Sequence, residues 1–384
     1  MARSRTYLDH NASAPLRPAA RDATVRALDL PGNASSIHAE GRAARASIED
    51  ARRSVAALAG VEPGGVVFTA SATEAANLVL TPTLAVPGRE RSRRYIALAT
   101  EHACVLSGHR FDTAEIAPVD RRGVVDLSVL EAMLDAGGPA LVAMQAANNE
   151  TGVAQPVADA ARLVHARGGV LVCDAVQAAG RIDARLGALG ADALIVSSHK
   201  IGGPKGAGAV AFADPDAQTG APLLRGGGQE RRLRAGTEDV AAIAGFGAAA
   251  REAAAAAEPK GEAARLAALR DAWERELRRI QPDAVVFGAD APRLPNTSCF
   301  ALPGLKATRL LMALDLAGIA VSAGSACSSG KIARSHVLDA MGVDTHIGDG
   351  AIRVSFGWTS TAADGAALAE AVARIAERRS SRAA

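Results

Sequence analysis

The sequence predicts an α/β layer protein with a largely parallel sheet, joined to a second, smaller α+β domain. Two patterns carry this expectation. Over about 200 residues, short apolar runs alternate with longer Ala/Leu/Arg stretches of helical spacing, the signature of strand–helix–strand units. Beyond an Ala/Glu-rich stretch at 249–260 the rhythm changes to one long helical segment and a few short strands.

The elements follow in order. Residues 66–69 (VVFT) read as a strand after Gly64 and Gly65, and a helical run begins at Thr73. Apolar runs at 95–99, 140–144, 169–173, 192–196 and 208–212 read as further strands, with helical segments between most of them, such as 157–167. In the second part, 262–280 reads as a helix, 284–287, 297–301 and 352–356 as strands, and 363–378 as a closing helix with a frayed tail, ERRSSRAA. The expected division is a large domain at 16–250 and a small domain at 1–15 plus 251–384. The stretch 322–331, SAGSACSSGK, is too rich in Ser and Gly for core or helix and reads as a surface loop carrying one cysteine.

Composition excludes several function classes. A net charge of +2 over 384 residues points to neither nucleic acid nor a membrane surface. The 38 arginines are interleaved with 41 acidic residues, and aromatics at 3% offer no stacking platform for single strands. Only five basic residues are lysines, so a lysine in a chemically suggestive place is informative. The four cysteines, Cys104, Cys173, Cys299 and Cys327, form no CxxC pair and no zinc-type spacing. Cys173 and Cys299 fall in strands, and Cys104, just after His102, reads as packing with a pocket-lining place as the alternative, which leaves Cys327 for chemistry. No apolar run of about 18 residues and no leader at Met1 is visible, so a cytoplasmic protein with reduced thiols is expected.

Three strand ends gather reactive side chains. The run at 169–173 ends in Asp174, where parallel sheets bind ligands and where a carboxylate calls for a cation. Taken alone, Asp174 reads first as a helix N-cap or a partner in a loop salt bridge. The run at 192–196 ends in Ser197-Ser198-His199-Lys200, and a lysine at such a place can form a Schiff base with a carbonyl substrate or with pyridoxal phosphate. A protonated pyridine nitrogen would then be the cation for Asp174. The glycine-rich GGPKGAG at 202–208 lacks the spacing of a P-loop. At 68–74, FTASATE places small residues and a hydroxyl at a helix start, a plain capping box or a phosphate cradle.

Ten collinear stretches now stand together: YLDHNASAP (7–15), GNASSIH (32–38), ASATEAANL (70–78), TEHACVL (100–106), NNETG (148–152), DAVQAAG (174–180), SSHKIGGPKGAG (197–208), RGGGQERRLRAGTEDV (225–240), SAGSACSSG (322–330) and IRVSFG (352–357). In this order they resemble the NifS/IscS-type cysteine desulfurases of the class V aminotransferase family, over nearly the whole chain. The resemblance implies the fold of a type I pyridoxal-phosphate-dependent transferase. That fold has a large domain with a mainly parallel sheet of seven-stranded type and a smaller α+β domain carrying the Cys327 loop.

The resemblance also implies roles. Pyridoxal 5'-phosphate is the expected cofactor and L-cysteine the expected substrate. Lys200 would carry the cofactor, Asp174 would pair with its pyridine nitrogen, Gln177 would hydrogen-bond its ring hydroxyl, and His102 would stack on the ring and shuttle protons. Ala72, Thr73, Ser197 and His199 would hold the phosphate, and Thr237 would reach the phosphate of the neighbouring subunit of a homodimer. Asn148 and Arg353 would hold the substrate carboxylate, a task that suits a guanidinium fork. Cys327 would attack the substrate sulfur, release alanine and keep a persulfide for a sulfur acceptor such as an iron–sulfur scaffold. No resident metal is implied; a transient iron–sulfur contact at Cys327 is the one such contact left open.

Gln145-Ala146-Ala147, Ser198, Ala323 and Arg334 depart from the family pattern without removing any of these groups. The chain stops soon after its last helix, where housekeeping members carry a longer tail for docking the scaffold. His38 falls in a family stretch without a derivable role, and His336 and His346 read as surface or capping residues. Rival readings are a selenocysteine lyase or an aminotransferase of the same fold, and a scaffold protein that has lost catalysis. A transaminase has no need of a loop thiol, so Cys327 separates it from a desulfurase, and Lys200, Asp174, His102 and Cys327 together argue against the scaffold reading.

Overall fold

A computed structural model describes residues 5–220, 222–257, 261–323 and 334–383, with side chains as far as 378. Its centre is a seven-stranded sheet built from β1 (Val66–Thr69), β2 (Arg94–Leu98), β3 (Glu115–Ala117), β4 (Ala140–Gln145), β5 (Val170–Asp174), β6 (Ala193–Ser197) and β7 (Gly208–Phe212). The spatial order is β1-β7-β6-β5-β4-β2-β3. Only β7 is reversed: it pairs antiparallel with β1 and β6, whereas β6, β5, β4, β2 and β3 pair in parallel.

The near-continuous apolar runs are explained by burial on both faces. Along β5, Leu171 and Cys173 face one apolar cluster while Val170 and Val172 face the other. The first cluster is covered by α1 (Pro18–Leu28), α2 (Ala39–Ala59) and the later Val240–Ala256 helix, and the second by α3 (Ala72–Val79). Between β4 and β5, α4 (Val157–His165) makes a parallel crossover. The helix Val240–Ala256, α5, presses its Gly247 so closely on α2 that a Cβ there would stand 2.5 Å from Ala51 Cα. His38, without a role in the sequence reading, caps α2: its ring accepts the Gly41 amide at 3.2 Å.

A second, antiparallel sheet has the order β8-β9-β11-β10, from β8 (Val285–Phe287), β9 (Thr297–Ala301), β10 (Ser322–Ala323) and β11 (Ile352–Ser355). It packs against α6 (Glu262–Ile280) and α7 (Ala362–Ala383) through Trp273, Leu277, Phe300, Phe356, Leu368 and Val372. The beginning of the chain is stitched to this unit: Thr6–Tyr7 pairs in parallel with Ile319–Ala320, and Asp9 bridges Ser355. That stitching carries Asn11 and Ala12 to the seam between the two sheets.

Some elements differ from the sequence reading. Helices α1 and α2 and the edge strand β3 were not anticipated. The expected loop starting at 322 begins instead with the two paired residues of β10. The tail expected to fray continues α7 to Ala383, since no Gly or Pro interrupts 366–383.

Candidate active site

A cavity of about 620 Å³ opens at the carboxyl ends of β4, β5 and β6, where parallel sheets place their ligands. Asn11 and Ala12 form one wall, and Ser322 of β10 and Arg353 of β11 close it from the small sheet. Local sequence builds each wall. Ser71 caps α3 by accepting the Glu74 amide at 3.1 Å, and the Glu74 carboxylate accepts the Ala70 amide at 2.8 Å, one residue before the cap. Gly208 lets this turn sit on β7, because a Cβ there would lie 2.5 Å from the Ser71 carbonyl carbon. Ala72 and Thr73, at the exposed start of α3, line the cavity with Ser197 and His199.

Lys200 ends the short turn Ser198–Lys200 that follows β6. Its Nζ donates to the carbonyls of Asn11 at 2.6 Å and Ala12 at 2.9 Å. Burial, reinforced by Arg353 and Arg181, pushes its pKa down to about 8. Asp174 sits at the tip of β5 and accepts the Val176 amide at 2.9 Å. Among the described residues, no Lys, Arg or His nitrogen lies within 4.0 Å of it, and burial raises its pKa. Gln177 donates to the Asn11 carbonyl at 3.0 Å and accepts from Arg181 at 2.6 Å, which fixes its amide. His102 lines the cavity with a pKa lowered first by burial, while Asp174 opposes that shift. His199 is held at about 4 by burial and by Lys200 and Lys205.

Arg353, in the middle of the small sheet, donates to the Asn149 carbonyl at 3.0 Å and to Asp9 Oδ1 at 2.8 Å. Its Nε is buried and has no partner among the described residues.

Most expected site residues thus meet at one cavity, with three exceptions. Asn148 turns its side chain into the protein, where Oδ1 accepts the amides of Glu150 and Thr151 at 2.9 Å and Nδ2 donates to the Thr100 carbonyl at 3.0 Å. Its neighbour Asn149 lines the cavity. Thr237 is exposed and does not line the cavity of its own chain. Cys327 lies outside the described residues. Two residues read as peripheral belong to the site. His336 lines the cavity and its Nε2 lies 2.9 Å from the Glu101 carbonyl, while Cys104 lines it with its sulfur 3.0 Å from His102 Nδ1. Asp9 and Asn11 were also missed, although both lie in the YLDHNASAP stretch.

The profile described as Aminotransferase class-V matches residues 6–368. The chain belongs to the class V aminotransferase family. Within it, the chain sits among the cysteine desulfurases. It is 39% identical over 371 residues to the IscS-like cysteine desulfurase of Mycobacterium tuberculosis, an overlap covering 93% of each chain. It superimposes on a NifS-like protein from Rickettsia africae with a TM-score of 0.87 at 31% identity, covering 97% of this chain and 100% of that one. A protein named SspA, solved in complex with cysteine, matches with a TM-score of 0.76 at 26% identity, over 92% of this chain and 99% of that one. Membership of the class V aminotransferases implies pyridoxal phosphate, and the residues present fit that group. They offer a half-buried strand-end carboxylate with no cation paired to it, an amine of lowered pKa, and a helix start with hydroxyl and imidazole groups for a phosphate.

Proposed function

We propose that the chain is a pyridoxal-phosphate-dependent cysteine desulfurase that converts L-cysteine to L-alanine and leaves a persulfide on Cys327. One observation carries the reading: Lys200, the cation-poor Asp174 and the guanidinium of Arg353 face a single cavity. Asp174 would hold the pyridine nitrogen, Gln177 the ring hydroxyl, His102 the ring face and Lys200 the aldehyde carbon. Ala72, Thr73, Ser197 and His199 would hold the phosphate, with Thr237 serving the site of a second subunit in a homodimer. When bound, the cofactor supplies an electron sink for charge developing at the substrate Cα.

The chain supplies the rest. Arg353 pairs with the substrate carboxylate, and Asn149, rather than Asn148, offers its amide beside it. Lys200 Nζ, with a pKa of about 8, takes up and returns the Cα proton near neutral pH. The Cys327 thiolate forms a bond to the substrate sulfur as the Cβ–sulfur bond breaks. The overall change is balanced without an external oxidant: L-cysteine and a Cys327 thiol become L-alanine and a Cys327 persulfide. An acceptor protein, such as an iron–sulfur scaffold, then takes the sulfur in the cytoplasm. On this reading 16–250 is the cofactor-binding domain, and 1–15 with 251–384 is the small domain that carries the nucleophile.

The test is the visible spectrum of the purified protein together with alanine and sulfide release from L-cysteine. The wild type should show a cofactor band and release both products, and Cys327→Ser should keep the band and lose desulfuration. Activity that survives Cys327→Ser would move the reading to another class V reaction. A colourless protein that takes up no added cofactor would end the enzyme reading.

A further inference from the structure

We propose that Cys104 is a positioning residue that fixes His102 as its Nε2–H tautomer, so that this histidine faces the cavity as a hydrogen-bond donor only. His102 is the N-cap of the one-turn helix Ala103–Leu106, and its Nδ1 accepts the Cys104 amide at 3.2 Å. A cap acceptor needs a lone pair, so Nδ1 carries no proton. The Cys104 sulfur lies 3.0 Å from the same nitrogen. Facing a lone pair, the thiol is the donor. It has a proton to give: burial, aided by the charge of Asp174, pushes the Cys104 thiol up to about 12. Two donors therefore converge on Nδ1, and the ring proton stays on Nε2.

The surrounding groups leave this arrangement intact. From the tip of β5, Asp174 favours a charged ring; burial, the largest influence, disfavours it, as do Lys200 after β6 and His336 of the small unit. A hydrogen bond from Thr73, at the start of α3, favours the ionised sulfur, but burial outweighs it and the thiol keeps its proton. Glu101, directly before His102, is fully buried and pushed well above its usual range, so it brings no settled anion to the ring. An imidazole held this way has its only lone pair at Nδ1. It can protonate there only by giving up both contacts, so proton acceptance in the cavity rests on Lys200.

The experiment is long-range proton–nitrogen NMR on the full chain with nitrogen-15 histidine, using His102→Gln to assign one signal among eight histidines. The wild type should show a bare Nδ1 and a protonated Nε2. Cys104→Ala and Cys104→Val, which remove the donor without and with filled volume, should raise the His102 midpoint by about half a unit to one unit, the equivalent of one hydrogen bond. Cys104→Ser should restore the wild-type tautomer and midpoint, which a purely structural role would not predict. A protonated Nδ1 in the wild type, an unchanged midpoint in both donor-free variants, or a serine variant that behaves like alanine would each overturn the proposal. The spectra read the chain's own atoms, so they succeed or fail separately from the desulfurase reading, which product release decides.

Discussion

Arg353 reaches Asp9 with Nη2 2.8 Å from Oδ1, and both side chains are largely buried, at 6% and 17% exposure. The group expected to meet the substrate carboxylate is thus already paired with a carboxylate of its own. Asp9 in turn accepts Ser322 Oγ at 2.8 Å, which ties the first residues of the chain to β10. Substrate must share or displace this partner. Asp9→Asn should therefore lower KM for L-cysteine several-fold, and Arg353→Lys, which loses the fork, should raise it roughly tenfold or more. Steady-state kinetics check both, and a KM that rises in Asp9→Asn would contradict the pairing argument.

Lys200 should govern how readily the apoprotein takes up its cofactor. Burial, then Arg353 and Arg181, hold its amine at about 8, so the neutral nucleophile accumulates as pH rises toward that value. The rate of cofactor uptake should climb from pH 6 and level off above about 8. Asp9 is one of the charges that raise this pKa, so Asp9→Asn should move the midpoint to lower pH. Stopped-flow spectra across pH give the midpoint directly.

Acid should destabilise the fold through His10. Burial, with Arg181 and Arg17, lowers its pKa to about 3, whereas the unfolded ring titrates near 6.5. Between those values the unfolded chain binds more protons, so stability falls as pH drops below about 6.5. This one group contributes at most about 1.4 kcal/mol per pH unit in that window. Urea melts between pH 7 and 4 should show the slope, and His10→Asn should flatten it by that amount.

Arg52 and Glu230 form a buried fork, with Nη1 and Nη2 at 2.8 and 2.7 Å from the carboxylate, which also accepts the Phe68 amide of β1 at 2.8 Å. The pair anchors Glu230, Arg231 and Arg232, all at positive φ between 46 and 66°. Glu230→Ala leaves a buried guanidinium unpaired and should cost about 3–5 kcal/mol in denaturant titrations. The double variant Arg52→Met/Glu230→Met should recover part of that loss.

Much of this fold was legible because strands buried on both faces must be apolar throughout, and a strand end that stops in Asp174 or Lys200 announces a ligand site. What escaped was geometry made by long-range stitching. Asn11 reaches the cavity, and Asp9 reaches Arg353, only because Thr6–Tyr7 pairs with residues more than 300 positions away. Cys104 looked like packing because nothing in TEHACVL shows that a one-turn helix aims its sulfur at His102. Asn148 and Asn149 are neighbours of one type, and the turn at 148–152, not their chemistry, decides which one faces inward. His336 was read as peripheral because its contact, the Glu101 carbonyl, lies 235 positions earlier in the loop that follows β2.

The most direct measurement is mass spectrometry of the holoenzyme after one turnover with L-cysteine, with thiols alkylated and peptides mapped. The account predicts one added sulfur on the peptide that contains Cys327, released by reductant, with one alanine formed per modified chain. An added sulfur on the Cys104 peptide instead, or alanine formed with no sulfur retained on any cysteine, would contradict it.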